Sequence, residues 1–386
     1  MSIIGAGIMS IPASVKVLGV IPAFILTVAV AVLVDISADF LLRFTYAGNA
    51  TTYAGLMKES FGQFGSLALQ ICIMIANLGL LNHVPNYHWG CAMWERGRTL
   101  GDFARVVWHP LVDFPRILHL FESLWWSSAL AVLLSVVFVG ICIVMAIYAL
   151  FCGHTETPRL LPQLDSSASF FNLFTAVPVI VTAFTFHFNV HPIGIELGKA
   201  STMASAVKIS LVLCSLIYFS IGIFGYLLFG ESTNADILVN FAQTSSSSGS
   251  PVTSVLNDIV RLTYALHLVL VFPLVNYPMR ANIDELFFPK KILLVNDSTR
   301  FVSLSVFLLA LTYVAAIAIP SIWYIFQFLG STTTVCLAFI FPGAIALRDI
   351  HGISSRKDKI VAIMMILQAL VTSCITISTN VYNMLT

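Results

Sequence analysis

The sequence predicts an all-α polytopic membrane protein, an expectation that rests on composition, on the length of its apolar runs and on the way two of those runs are broken. Hydrophobic residues fill 58% and charged residues 10% of 386 positions, and mean hydropathy is +0.94. That leaves too little polar surface to coat a water-soluble domain. The runs approach the roughly 20 residues that a helix needs to cross a bilayer and are too long for barrel strands, the only alternative that satisfies the backbone in lipid. One run is broken at Gly5-Ala6-Gly7 and another across Phe186-His187-Phe188-Asn189-Val190-His191-Pro192. Interrupted helices in corresponding halves of a membrane protein mark a solute site near mid-bilayer and point to a secondary transporter.

In chain order, apolar segments fall near residues 2–18, 20–42, 64–82, 125–151, 170–197, 205–229, 253–275, 301–319, 321–346 and 359–381. The first starts almost at its own break, so the half-helix that should precede Gly5 is expected to be missing and the chain to be clipped at its N-terminus. Residues 83–124, with Trp89, Arg96, Arg98, Arg105, Trp108, Asp113 and Arg116, lose the apolar character of their surroundings. A span forced through residues 104–121 would cost about 2.5–3.5 kcal/mol for each central charge on the insertion scale. The chain therefore reads as a single transmembrane domain, 1–386, with an atypical insert at 83–124 and no clean fourth helix.

Basic residues set the orientation. Arg43, Lys58, Lys199, Lys208, Arg280, Lys290, Lys291, Arg300, Arg348, Arg356, Lys357 and Lys359 all flank one alternate set of loops, which the positive-inside rule assigns to the cytosol. The Ser-rich stretch 231–252 carries neither Lys nor Arg and is expected to be a flexible linker on the opposite side. Between the loops at 43–60 and 199–208 an even number of crossings is required, yet only three clean spans lie there, so parity points to the insert.

Several function classes are excluded. A net charge of +1 without a basic patch gives no reason to expect nucleic acid. The seven cysteines lie mostly inside apolar runs and lack CxxC spacing, so they read as small packing residues. No GxSxG, HExxH or P-loop pattern is present, which argues against an enzyme and calls for no cofactor. His187 and His191 sit four apart, a spacing found in metal sites, but no third ligand accompanies them and no metal is expected.

A polar or charged solute at the bilayer centre must exchange its hydration shell for protein groups. Around the first break, Ile4, Gly5, Ala6 and Gly7 offer main-chain N–H and C=O groups, and the glycines open conformations closed to other residues and admit close approach. A Gly-X-Gly in a membrane helix is also a common helix–helix contact. At the second break Pro192 lacks an N–H and opens the helix. Thr185 and Asn189 add polar atoms there, and Phe184 and Phe186 are placed to close over an aliphatic part.

Coupling needs a group that changes protonation, and His187 and His267 are the leading intramembrane candidates. Asp35, Asp39 and Arg43 recur every four residues on one face and read as an ion-paired gate or stability stripe, with Asp39 and Arg43 at pairing distance. Asp258 and Arg261 are spaced for an i,i+3 pair. The hydroxyl cluster Ser331-Thr332-Thr333-Thr334 either lines the pathway or binds helices together.

Ile3-Ile4-Gly5-Ala6-Gly7-Ile8-Met9-Ser10-Ile11-Pro12, followed by Lys16-Val17-Leu18-Gly19, resembles the first-helix motif of the amino acid/auxin permease family, in its plant vacuolar and sodium-coupled neutral amino acid transporter-like branch. Thr182-Ala183-Phe184-Thr185-Phe186-His187-Phe188-Asn189-Val190-His191-Pro192-Ile193-Gly194 resembles the sixth-helix motif of the same branch. The likeness covers about residues 1–82 and 125–386. It implies a five-plus-five inverted-repeat bundle with discontinuous first and sixth helices, alternating access, an amino acid substrate (neutral in this branch) and a vacuolar or other endomembrane site. Sodium-coupled relatives carry a hydroxyl residue in the eighth helix, where this chain reads Leu268-Val269-Leu270-Val271-Phe272-Pro273. Hard cations want oxygen ligands, so protons are the expected coupling ion. The missing half-helix and the replaced fourth helix leave a second reading, a transport-incompetent sensor or a binding partner of an intact transporter.

Overall fold

A computed structural model describes residues 4–48, 50–81, 124–153, 155, 157–164, 167–247, 251–288, 297–318 and 321–385. Among these residues the regular structure is entirely helical. Among the described residues nine helices are long and apolar enough to cross a membrane, and Gly7–Leu18 is a shorter apolar helix. The insert and its parity question fall outside the described residues, as do residues 1–3 beside the first break.

A 3-10 turn, Ala6–Ser10, leads into α1 (Ile11–Leu18), which has Pro12 in its first turn and ends at Gly19 with φ 78°. Long helices α2 (Val20–Ala47) and α3 (Tyr53–Leu81) follow, the latter kinked at Gly62, whose φ of 70° no β-branched or bulky residue would adopt readily. Next come α4 (Leu124–Phe151), α5 (Ser167–Ala183), α6 (His187–Leu197) and α7 (Ala200–Phe229). The chain continues through α8 (Ile237–Ser247), α9 (Pro251–Phe287) and α10 (Ser298–Ala318). The next span is α11 (Ile322–Leu329), two wide π-helical turns at Gly330–Thr334 and Cys336–Ile340, and α12 (Phe341–Arg348). The last is α13 (Arg356–Leu385).

One apolar core, from Ile8 and Ile11 through Phe184 and Tyr218 to Phe326, joins the elements around both breaks. Helix α9 packs on α4, α3 and α8; α7 packs on α1, α2 and α4; α13 packs on α5 and α12. The charged residues gather at two ends. At one end Arg43 pairs with Asp358, His351 with Glu59 and Lys359 with Asp349. At the other, the Arg159 guanidinium forks onto Glu231 at 2.7 and 2.9 Å and donates to the Lys16 carbonyl that closes α1. The first end collects loops that the basic-residue pattern grouped together, and the second collects loops from the opposite group.

The stretch 231–252 is not the linker expected from its serines. It contains α8, which buries Ile237 and Phe241 completely. Apolar residues one turn apart supply a face that the serine count obscures. The run expected over 253–275 also continues helically to Phe287.

Candidate functional site

The two breaks are in contact. A Cβ added at Gly7 would lie 2.7 Å from both Cα and Cβ of Ala183, the last residue of α5. Gly7 is therefore the point where the first helix closes on the opened sixth. Gly5, by contrast, has nothing within 4 Å of an added Cβ. Neither glycine has positive φ, so the expectation that both are needed for unusual backbone conformations is corrected. Gly5 is extended at φ −147° and leaves open space, and Gly7 permits close packing.

Broken ends leave backbone groups to be satisfied. The Gly5 carbonyl accepts from Ile8 N–H at 3.3 Å and from the Tyr264 hydroxyl at 3.2 Å. The Ala183 carbonyl accepts from the Tyr218 hydroxyl at 2.8 Å. Thr185 donates back to Val181 O at 2.8 Å, and Thr182 donates across to Phe326 O on α11. Helix α6 begins at His187 without a side-chain cap from Phe186 and runs unbroken through Pro192, so the opening lies at residues 184–186 and not at Pro192 as the sequence suggested. The Asn189 N–H donates to the Phe186 carbonyl at 2.8 Å, and the N–H groups of His187 and Phe188 ahead of it carry the positive end of the helix dipole. Ile4, Phe184, Thr185, Phe186 and Asn189 are all buried around this point, and none bears a charge. Ala6 lies in the same turn. Phe184 stands edge-on to Tyr218, with centroids 5.0 Å apart.

Both histidines of α6 are held by hydroxyls of α2. Ser37 donates to Val34 O, so at 2.7 Å from His187 Nε2 its oxygen is left to accept. Thr45 donates to Leu41 O and stands likewise 2.7 Å from His191 Nε2. Each ring thus carries hydrogen on Nε2 and leaves Nδ1 buried without a partner. His191 also stacks on Tyr53 at 5.6 Å. Since each imidazole takes its own hydroxyl, the four-residue spacing reflects two anchors on α2. His267 does the reverse: its Nδ1 donates to Ala131 O at 2.7 Å, Nε2 is unpartnered, and its ring stacks on Tyr264.

The acidic stripe divides. Arg43 pairs with Asp39 at 2.8 Å and with Asp358 of α13 at 3.1 Å, tying α2 to α13. Asp35 takes no part in that clamp and lines a cavity beside Lys208. Asp258 and Arg261 approach to 3.6 Å, as their spacing predicts. In the hydroxyl cluster, Ser331 donates to Gln327 O and Thr332 to Phe328 O. These two groups bond their own helix instead of bridging to a neighbour.

A geometry of paired broken helices, satisfied by tyrosines and lined by uncharged residues, can be set beside known proteins. The family profile described as "Transmembrane amino acid transporter protein" matches residues 1–83 and 110–386. The chain belongs to this family. It is therefore a multi-pass integral membrane protein of a transporter family, not an enzyme. Among similar proteins, Amino acid transporter AVT6C of Arabidopsis thaliana is 52% identical over 99% of this chain and 92% of its own length. Amino acid transporter AVT6D of the same plant is 50% identical over 99% and 90%, and AVT6A is 42% identical over 99% and 86%. The stretch this transporter family leaves unmatched, 84–109, is shorter than the insert read from composition at 83–124.

The family chain also uses residues that the sequence reading did not single out. Tyr218 and Tyr264 were readable in principle, since a buried tyrosine hydroxyl in an apolar span needs a partner. Ser37 and Thr45 look like ordinary small residues of α2 until their histidine partners are placed. Asp236 is the fifth. Its carboxylate accepts from Leu238 N–H at 2.9 Å as the cap of α8. It also lies close enough to Tyr264 for the two to interact electrostatically. Burial pushes its carboxyl up to about 7 against the opposing pull of the Leu238 N–H.

Proposed function

We propose that this chain carries amino acids, neutral ones, by alternating access coupled to protons, in a vacuolar or other endomembrane. The observation that carries the reading is the junction of the two breaks at Gly7 and Ala183. There the uncapped N-terminus of α6 suits a carboxylate, and main-chain carbonyls near the 3-10 turn suit an ammonium. Substrate neutrality is supported by the absence of a charged side chain among Ile4, Phe184, Thr185, Phe186 and Asn189, since an unpaired charge brought there would be costly. The names of the Arabidopsis relatives support amino acids as the solute.

Proton coupling is supported by buried imidazoles with one unpartnered nitrogen at His187 and His267 and by Asp236. Deprotonated Asp236 places a negative charge beside Tyr264, which bonds the Gly5 carbonyl, and so opposes a substrate carboxylate nearby. Its protonated form does not. With titration at about 7, substrate affinity is expected to fall as pH rises from about 6 to about 8. Asp236→Asn, which keeps the cap, is expected to flatten that slope, and an unchanged slope in a binding titration removes Asp236 from the coupling scheme.

The deciding experiment is uptake of radiolabelled neutral amino acids by proteoliposomes of the purified chain under an imposed pH gradient. Accumulation that collapses on adding a protonophore is the expected result. Saturable binding with no flux at any gradient would select the sensor reading instead.

A further inference from the structure

Away from the breaks, two cavities share a wall. A cavity of about 360 Å³ lies between α2, α7 and α13 and includes Asp35, Asp39, Arg43, Lys208, Lys357 and Asp358. A groove of about 500 Å³ runs up the seam of α2 and α7 to the ring contact of Phe24 with Phe219, 4.6 Å between centroids, with Val28, Val32, Val212 and Leu216 exposed along it. Asp35 and Lys208 line both. The groove therefore opens at one end into a charged chamber and is apolar along the rest of its length. From Asp35 to Phe24, at 1.5 Å per residue, it is about 16 Å long, close to one leaflet's share of a roughly 30 Å hydrocarbon core.

The chamber's charges are unequally used. Arg43 is taken by Asp39 and Asp358. Lys208, Lys357 and Asp35 make no ion pair or hydrogen bond among the described residues. Asp35 and Lys208 attract one another across the chamber without an ion pair, so two ammonium groups and one carboxylate retain bonding capacity for a ligand. This end of α2 carries the basic residues that mark the cytosolic side, where anionic lipids concentrate. A soluble ion would fill the chamber and leave the groove empty, and a plain hydrocarbon would do the opposite.

We propose that the composite cavity holds one glycerophospholipid with a serine headgroup, drawn from the cytosolic leaflet. Its phosphate and carboxylate meet Lys208 and Lys357, its ammonium meets Asp35, and one acyl chain lies along the α2–α7 groove. The two negative groups and one positive group of that headgroup complement the three unpaired side chains. The site is independent of the solute reading at the helix breaks.

Native mass spectrometry of the delipidated, detergent-purified chain tests this, with phosphatidylserine, phosphatidylglycerol, phosphatidylethanolamine and phosphatidylcholine of matched chains titrated singly. Phosphatidylserine is expected to be retained about tenfold more than phosphatidylcholine, with phosphatidylglycerol and phosphatidylethanolamine several-fold below phosphatidylserine. The double variant Lys208→Ala, Lys357→Ala is expected to erase the preference. Leu216→Trp, which fills the groove without touching a charge, is expected to lower phosphatidylserine retention several-fold while the melting temperature holds. If the alanine pair does not purify as a monodisperse species, the glutamine pair gives the same readout. Equal retention of all four lipids overturns the proposal, as does a preference unchanged in both variants. Full release of bound lipid by excess free serine also overturns it, because the chamber would then be recognising an amino acid and not a lipid.

Discussion

Gly7→Ala is expected to lower the melting temperature and to cut amino acid uptake at least tenfold, whereas Gly5→Ala is expected to fold normally and to lose substrate affinity instead. The two substitutions add the same methyl group two residues apart. At Gly7 it meets backbone and side chain of Ala183 at 2.7 Å, too close for any Cβ. One of the two broken helices must move, and overpacking of this kind costs about 1–3 kcal/mol. At Gly5 the methyl has nothing within 4 Å, so stability should not register it. If that open space is where the solute's charged groups meet the main chain, the methyl occupies part of it, and an affinity loss of about tenfold corresponds to about 1.4 kcal/mol. Thermal melts and binding isotherms on both variants suffice. Parallel losses of stability in the two, or an unchanged affinity for Gly5→Ala, would contradict the placement of the site.

The second large effect concerns His187. Replacement by glutamine is expected to abolish accumulation driven by a pH gradient while leaving solute counterflow within about threefold of the native rate, because exchange needs the site but not a net proton. The ring is completely buried, is anchored through Nε2 to Ser37 and presents an unpartnered Nδ1. A merely structural histidine gives a different pattern. Removing its anchor by Ser37→Ala would strand a buried N–H at about 1–3 kcal/mol and lower stability without separating the two transport modes. Loss of both modes in His187→Gln, with a melting temperature unchanged, would count against a coupling role.

The apolar runs made the bundle legible, because lipid forces every backbone group into a helix and so ties hydropathy closely to structure. The first break was legible in the same way, from Gly5-Ala6-Gly7, whereas the second was legible only to within a turn or two: the chain opens at residues 184–186, and Pro192, expected to open it, sits inside the continuous helix His187–Leu197. What stayed hidden depended on contacts distant in sequence. Nothing near Gly7 names Ala183, 176 residues on, and nothing in α2 signals that Ser37 and Thr45 anchor two imidazoles. Helix α8 was missed because Ser245, Ser246 and Ser247 suggest a linker, while its structure rests on two fully buried side chains, Ile237 and Phe241. Asp236 was passed over because it falls in that same stretch, where a carboxylate reads as part of a solvated linker.

The wide turns between α11 and α12 have a mechanical consequence. A π turn holds one more residue than an α turn, and its carbonyls fall out of step with the regular ladder. In the second such turn the Leu337 carbonyl accepts instead from the hydroxyl of Tyr53 at the start of α3, at 3.0 Å. Tightening that turn to ordinary pitch would swing everything downstream, Phe341–Arg348 included, by about 100° and would detach the tyrosine. Tyr53 thus ties the wide turn to α6 as well as to α3, because the same ring is stacked on His191 midway along α6.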